Sequence, residues 1–159
     1  MITLVQRVRW AKVTVGDEVT GSIERGVLLL VGVEPGDTEA DADETARKVA
    51  AMRIFPARTP MDLTLREVEG GCLVVSQFTL AAELRHGNRP DFTGAAAPAI
   101  AEPLYERVAA RLGASGLPTA TGRFGAAMQV ESCNDGPISL ILNVRGGKVV
   151  PRPATGPAA

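Results

Sequence analysis

The spacing of apolar residues near the start of the chain predicts a series of β-strands. Residues 2–8 and 12–15 alternate or run apolar over strand-like lengths, and a glycine-aspartate turn leads into residues 18–23. Residues 26–33 (GVLLLVGV) are apolar at odd and even positions alike, which is typical of a strand covered on both faces. The chain therefore opens with a strand, a hairpin and a central strand.

Two later segments have the spacing of amphipathic helices. Asp37 or Thr38 can cap a first helix that ends at about Arg53. Its apolar face comprises Ala42, Ala46, Val49 and Met52. A second helix tolerates Pro103 in its first turn and ends at Gly113. Between the helices, an apolar run that starts at Cys72 predicts another buried strand.

The last part of the chain predicts two strands and a tail. Residues 124–132 and 138–144 are expected to be strands separated by the turn NDGP. From Gly146 the composition is that of a flexible tail, so we expect a domain over residues 1–146 and a tail over residues 147–159. The order is strands, then two strand-helix units, then strands, which favours an α/β layered domain with both helices on one face of a mixed sheet.

Composition limits the class of protein. The 159 residues suit one domain, and a hydrophobic fraction of 45% allows a substantial core. The net charge of -1 argues against a protein that grips long stretches of DNA or RNA, so any RNA contact must be local. The longest apolar run, residues 27–33, is too short to cross a membrane, and the N-terminus lacks a signal-peptide pattern. We therefore expect a soluble cytoplasmic protein without a membrane or DNA partner.

The few cysteines and histidines limit the chemistry. Cys72 and Cys133 are far apart and form no CxxC motif, which favours two buried thiols over a disulfide framework or a zinc site. The single histidine, His86, lies in a polar loop and is expected to be solvated. A serine hydrolase would have to use it as its base, and a two-histidine metal site is excluded. The sequence therefore indicates no metal and no cofactor.

Polar residues follow the buried run that starts at Cys72 and form the first candidate site. A strand that ends in Ser76, Gln77 and Thr79 brings these side chains to the rim of a sheet, where a ligand can meet them. Hydroxyl, amide and backbone N–H groups there can stabilise the oxyanion of an ester, each donor contributing about 2.7–4 kcal/mol. Because SxxT is a common string, the spacing alone favours a strand end whose polar side chains only satisfy a turn.

The second candidate site is NDGPIS, residues 134–139. A turn dipeptide before an apolar run holds its backbone rigidly at the start of a strand. For Gly136-Pro137 taken alone, an ordinary trans turn is the expected structure, since only about 5% of X-Pro bonds in folded proteins are cis; the functional alternative is a fixed pair whose carbonyls point at a cationic amino group. Arg7, within the first strand, is predicted to hold neighbouring backbone carbonyls in place.

The loop RHGNRPDF contains a small basic cluster. Arg85, Asn88 and Arg89 with the nearby Phe92 can hold a phosphate and stack a base, or can simply form a solvated loop.

The order and the residues of these motifs resemble those of the D-aminoacyl-tRNA deacylase family. The matching strings extend from residue 1 to about residue 144: VQRV, RIF, VVSQFTL, GNRPDF, EPLYERV, TGRFGAAMQV and NDGPIS. The resemblance implies a mixed, mostly antiparallel, barrel-like sheet in α/β/β layers, with the element order β2-(βα)2-β3, and a homodimer. It implies hydrolysis of the ester between a D-amino acid and the 3′-terminal adenosine of tRNA, without a cofactor. Glycyl-tRNA, including glycine mischarged on alanine tRNA, is also a family substrate.

The resemblance also implies roles for the first site. Ser76, Gln77 and the N–H group of Phe78 would orient the ester and bind its oxyanion, with the hydroxyl of Thr79 in support. The mechanism now favoured for the family uses the 2′-hydroxyl of the terminal adenosine to help activate water, which agrees with the lack of a histidine partner here.

For the second site, the resemblance implies selection of the substrate's chirality. Gly136 and Pro137 would form a cis pair that enters the site of the other subunit, holds the substrate's α-amino group with its carbonyls and rejects an L side chain by clash. Phe92 would line the adenosine pocket. Arg7 lies where the D-specific branch of the family has an arginine that helps fix the cis pair.

Three alternatives stay open. A relative with a trans Gly-Pro pair edits L-alanyl-tRNA; a binding module would hold tRNA without hydrolysis; and a Ser76 nucleophile would pair with His86. One departure from the family pattern is visible, because GPVT is usual where this chain has GPIS at residues 136–139. Both replacements keep the character of the side chain.

Overall fold

The structure is a computed structural model that describes residues 1–85 and 87–151. Within those residues the strands and helices follow the predicted order, β2-(βα)2-β3. The elements are β1 (Ile2–Val15), β2 (Glu18–Ile23), β3 (Gly26–Gly32), α1 (Glu39–Ala51), β4 (Gly71–Ser76), a 3-10 helix (Phe78–Ala81), α2 (Pro98–Ala114), β5 (Thr119–Thr121), β6 (Gln129–Arg145) and β7 (Lys148–Val150). No helix in the described residues is long and apolar enough to span a membrane.

The strands form a mixed, mostly antiparallel sheet in the order β5-β4-β3-β1-β6-β7, with β2 paired to β1. The β3-β4 and β4-β5 pairs are parallel and the others are antiparallel. The sheet curls, and this brings β2 close to β5. A Cβ atom on Gly21 would lie 2.4 Å from the carbonyl oxygen of Thr121, so only glycine permits this approach. The predicted α/β fold with a barrel-like sheet is confirmed.

Both helices pack on one face of the sheet, as predicted. Cys72 and Val74 of β4 belong to the core beneath the helices, whereas Leu73 and Val75 belong to a smaller core on the opposite face. Successive side chains of a strand point to opposite faces, so β4 is buried on both sides. This double burial fixes the position of the strand that leads to Ser76.

The helix boundaries follow from local chemistry. Thr38 and Asp41 form a capping box at the start of α1, as predicted for Thr38. The start predicted for α2 was too late, because Pro98 occupies its first turn, where the missing N–H costs nothing. Pro103 lies inside the helix and not in its first turn, so one backbone hydrogen bond of α2 is missing.

The end of the chain differs from the prediction in two ways. The two expected final strands are one strand, β6, because both parts pair with β1 on either side of residues 135–138. Part of the expected flexible tail is ordered, since Lys148–Val150 pairs with β6 across a glycine turn. The N–H of Gly147 in this turn donates to the buried carboxylate of Asp41 at 2.9 Å, which anchors the hairpin to α1. Residues 152–159 of the predicted tail lie outside the described residues.

Candidate functional site

A pocket of about 450 Å³ opens where β4 ends. The residues around it come from the ends of β3 and β4, from the segment before α2, from one face of α2 and from the turn after β5. They are Val31, Val33, Ser76, Gln77, Phe78, Phe92, Ala95, Ala96, Ala97, Pro98, Ala101, Tyr105, Phe124 and Gly125. The wall opposite β4 is held by the N–H of Ala96, which donates to the carbonyl of Val33 at 2.9 Å. Small and aromatic side chains predominate, which suits a flat apolar group such as a base.

The motif after β4 forms the polar side of this pocket. Ser76 is paired in register with Val31 of β3, and the N–H of Gln77 donates to the carbonyl of Val31 at 2.7 Å. The chain then turns into the 3-10 helix that starts at Phe78, and no side chain caps that helix. The first N–H groups of a helix, here that of Phe78, have no partner within the helix.

Thr79 is placed differently from its neighbours in the motif. Its side chain is exposed and is not among the residues around the pocket. Its hydroxyl oxygen accepts a hydrogen bond from the amide of Gln77. Thr79 is thus bonded to Gln77 and lies outside the pocket lining.

Two aromatic rings form the mouth of the pocket. Phe78 and Phe92 meet edge to face with their centroids 5.1 Å apart, and they are 56% and 40% exposed. These exposed fractions leave ring surface available to a ligand. In the neighbouring loop Arg85 is paired with Glu83 at 2.7 Å. His86, the expected solvated histidine, lies outside the described residues.

The floor of the pocket contains two residues that the sequence analysis did not assign. Tyr105 of α2 and Phe124 lie with their ring centroids 6.0 Å apart. The Tyr105 hydroxyl donates to the carbonyl of Val74 at 2.9 Å. Burial raises the pKa of this hydroxyl to about 12, so it is a neutral donor at physiological pH. The sequence could have indicated Tyr105, because it is the single tyrosine of the chain and lies on an apolar helix face, where a buried hydroxyl needs a hydrogen-bond partner.

The second candidate site is a bulge in β6. Gln6 pairs with Ser139 and Val8 with Asn134, so residues 135–138 lie opposite Arg7 alone. The side-chain oxygen of Asn134 accepts the N–H of Ile138 at 2.9 Å and closes the bulge. Gly136 and Pro137 are exposed at its tip, and the peptide bond between them is cis, as the resemblance implies.

Arg7 holds the base of this bulge. Its side chain is 8% exposed, and its guanidinium donates to the carbonyl of Ile54 at 2.6 Å and to that of Asp135 at 3.0 Å. The carboxylate of Asp135 lies 3.1 Å from the same guanidinium. The prediction that Arg7 holds backbone carbonyls is confirmed. The role of Asp135 as its partner was not foreseen.

The predicted residues therefore form two separate groups in one chain. Ser76, Gln77, Phe78 and Phe92 lie around the pocket, with Thr79 behind Gln77. Gly136 and Pro137 lie at the tip of the bulge and Arg7 holds its base, and none of the three is among the residues around the pocket. Among the described residues, no group of three or more His, Cys, Asp or Glu side chains is placed to hold a metal ion.

Comparison with known proteins shows the family. The model of the D-Tyr-tRNA(Tyr) deacylase family matches residues 4–143. A D-aminoacyl-tRNA deacylase of Aeromonas hydrophila is 52% identical over 145 residues, covering 91% of this chain and 100% of that protein. One of Herpetosiphon aurantiacus is 49% identical over 144 residues, covering 90% and 94%.

Solved structures agree with this result. A chain described as a c-Myc DNA unwinding element binding protein has a TM-score of 0.85 and 34% identity, and the match covers 92% of this chain and 100% of that one. A probable eukaryotic D-amino acid tRNA deacylase has a TM-score of 0.76 at 15% identity, covering 88% and 97%, and shares the fold. The chain therefore belongs to the D-Tyr-tRNA(Tyr) deacylase family, whose members are hydrolases that act on ester bonds.

Proposed function

We propose that this protein hydrolyses the ester bond of D-aminoacyl-tRNA and releases the free D-amino acid and the tRNA. The observation that carries the proposal is the pocket at the end of β4, with Ser76, Gln77 and Phe78 on its polar side. The family match over residues 4–143 includes every residue of this group. Aminoacyl-tRNA is made during translation, so the cytoplasm is the expected location.

The pocket suits the 3′-terminal adenosine of the tRNA. Its volume of about 450 Å³ is in the usual range for small-molecule sites, and Phe92 at its mouth offers a ring for stacking against a base. With the adenosine bound, the ester carbonyl would lie near Ser76 and the N–H of Phe78. These donors would stabilise the negative charge that develops on the carbonyl oxygen.

The reaction needs only water as a second substrate. Water, activated with help from the 2′-hydroxyl of the terminal adenosine, adds to the ester carbonyl carbon. The bond between that carbon and the 3′-oxygen then breaks, and the 3′-oxygen takes up a proton. Gln77, held by Thr79, would orient the ester during this step.

Selection against L-amino acids would come from the partner subunit. Gly136 and Pro137 are exposed at the tip of a bulge fixed by Arg7 and Asn134, and they do not line the pocket of their own chain. An exposed Gly-Pro pair on a rigid bulge suits capture of an α-amino group in a second copy by its carbonyls. Glycine has no side chain to reject, so the proposal extends to glycyl-tRNA, including glycine mischarged on alanine tRNA.

The sheet face away from the helices supports a homodimer. Leu4 pairs with Leu30 on one side and with Ile141 on the other, and Ile141 is 50% exposed. These three side chains point away from the core beneath the helices, because Val5, Leu29 and Leu142 next to them belong to that core. Leu4 and Leu30 are half-buried and Ile141 is exposed, so an apolar row across the middle of the sheet is available to a second copy.

The first test is release of tyrosine from D-tyrosyl-tRNA and from L-tyrosyl-tRNA, measured side by side without added metal. Fast release from the D ester, with the L ester spared, is the expected result. Equal release would contradict the chiral selection. If neither ester is hydrolysed, release from L-alanyl-tRNA would support the editing relative, and RNA binding without turnover would support the binding module.

The cross-subunit arrangement is tested by mixing two inactive variants. Gln77→Ala damages the pocket, and Gly136→Ala damages the bulge, because its Cβ would lie 2.7 Å from the side chain of Ile138. In a dimer of the two variants, one site carries both defects and the other carries none. Random mixing should therefore restore about a quarter of wild-type activity. No recovery after subunit exchange would place the pair in the site of its own subunit.

A further inference from the structure

One buried carbonyl joins three walls of the pocket. The carbonyl of Val74 accepts the hydroxyl of Tyr105 at 2.9 Å and the N–H of Gly122 at 3.0 Å. Val74 lies in β4 two residues before Ser76, Tyr105 lies in α2, and Gly122 begins the turn that carries Phe124. The polar side of the pocket, its helical wall and its aromatic floor are thus tied at a single atom.

We propose that Tyr105 is a positioning residue for the deacylase site, whose hydroxyl fixes Val74 and the turn that carries Phe124 and so sets the width of the adenosine pocket. The proposal rests on the function proposed above and adds a residue that acts through its neighbours. Tyr105 is not a catalytic residue, because its hydroxyl donates to the backbone carbonyl of Val74.

The chemistry of Tyr105 suits this role. The side chain is 3% exposed, and burial raises the pKa of its hydroxyl to about 12, so the donor is present throughout the range in which the enzyme is assayed. Its ring also contacts the pocket, which places the hydrogen bond directly behind the surface that meets the ligand. Phenylalanine would pack equally well, so packing accounts for the ring of Tyr105 and its hydrogen bond accounts for the hydroxyl.

Tyr105→Phe is the direct test, because it removes one oxygen and keeps the ring. We expect KM for D-tyrosyl-tRNA to rise on the order of 3- to 10-fold, as for the loss of one buried hydrogen bond, while kcat changes less than twofold. Thr45→Val is the matched control. Thr45 of α1 is buried and its hydroxyl bonds to the sulfur of Met1, outside the pocket. This variant loses a buried hydroxyl of the same core and should leave KM unchanged.

A double-mutant cycle with Phe124→Leu tests the path of the effect. If Tyr105 acts by positioning Phe124, Tyr105→Phe should raise KM less in the Phe124→Leu background than in the wild type. Equal effects in the two backgrounds would overturn the proposal, and so would equal KM values for Tyr105→Phe and Thr45→Val. Failure of the wild type to hydrolyse D-tyrosyl-tRNA would instead refute the proposed function.

Discussion

Arg7 and Arg9 provide a direct test of how the bulge is held. Both arginines lie in β1 and both reach the carboxylate of Asp135, Arg7 at 3.1 Å and Arg9 at 3.4 Å. Arg7 is 8% exposed and also donates to the carbonyls of Ile54 and Asp135, whereas the side chain of Arg9 is 74% exposed. The pair thus differs in burial and backbone contacts while sharing a strand and a partner.

Replacing each arginine by methionine separates these contributions. Arg7→Met leaves two carbonyls without this donor and a half-buried carboxylate without its main partner, which should cost about 3 kcal/mol of unfolding free energy. Arg9→Met removes an exposed ion pair and should cost less than about 1 kcal/mol. A typical domain has only about 5–15 kcal/mol, so the first loss should be plain and the second marginal.

Urea unfolding followed by tryptophan fluorescence measures both losses. The single tryptophan, Trp10, lies in β1 next to Arg9 and reports on this part of the sheet. The m-values should match that of the wild type, so that a shift in midpoint reflects stability. The ratio of D-tyrosyl- to L-tyrosyl-tRNA hydrolysis should fall in Arg7→Met and persist in Arg9→Met. Similar losses for the two variants would refute the reasoning.

Further predictions concern other parts of the molecule. Burial raises the pKa of Asp41, but hydrogen bonds from Gly147 and the α1 cap outweigh this effect, so the pKa is lowered overall. The resulting stabilisation is present above the ordinary aspartate pKa and is lost as pH falls through the lowered value. Asp41→Asn should therefore flatten the acid limb of stability against pH, measured by thermal unfolding between about pH 2 and 7. Gly21→Ala should destabilise by about 1–3 kcal/mol in urea, because its Cβ meets a β5 carbonyl; wild-type stability would contradict the close approach. Burial raises the pKa of Cys72 to about 12, so its thiol should resist iodoacetamide in the native protein and react on unfolding, as mass spectrometry would show. Phe92→Leu should raise KM for D-tyrosyl-tRNA by roughly 5- to 50-fold, the loss of about one stacking contact, and an unchanged KM would remove Phe92 from the adenosine pocket.

The parts of the fold that follow from local patterns were predictable from the sequence. The run that starts at Cys72 is apolar at every position because β4 is buried on both faces, and that pattern also located Ser76 at the strand end. The capping chemistry at Thr38 placed the start of α1 to within a residue. In each case the determining interactions lie within a few residues of one another.

The parts that depend on long-range contacts were not predictable. The turn residues Asn134 to Pro137 indicated a break between strands, but pairing with β1 continues on both sides of them. Lys148–Val150 looked like a tail because its order depends on Asp41, far away in the sequence. Tyr105 and Phe124 entered the site only through the fold, which brings α2 and the turn after β5 to the end of β4.

The bulge in β6 has a consequence for how new specificities can arise in this scaffold. Pairing between β1 and β6 resumes on both sides of residues 135–138, and the shift in register between the two sides occurs at the bulge. Insertions, deletions or grafted sequences at the tip can therefore be tested while Arg7 and Asn134 keep the base closed. Because the tip does not line the pocket of its own chain, its sequence can be varied by laboratory evolution without altering that pocket.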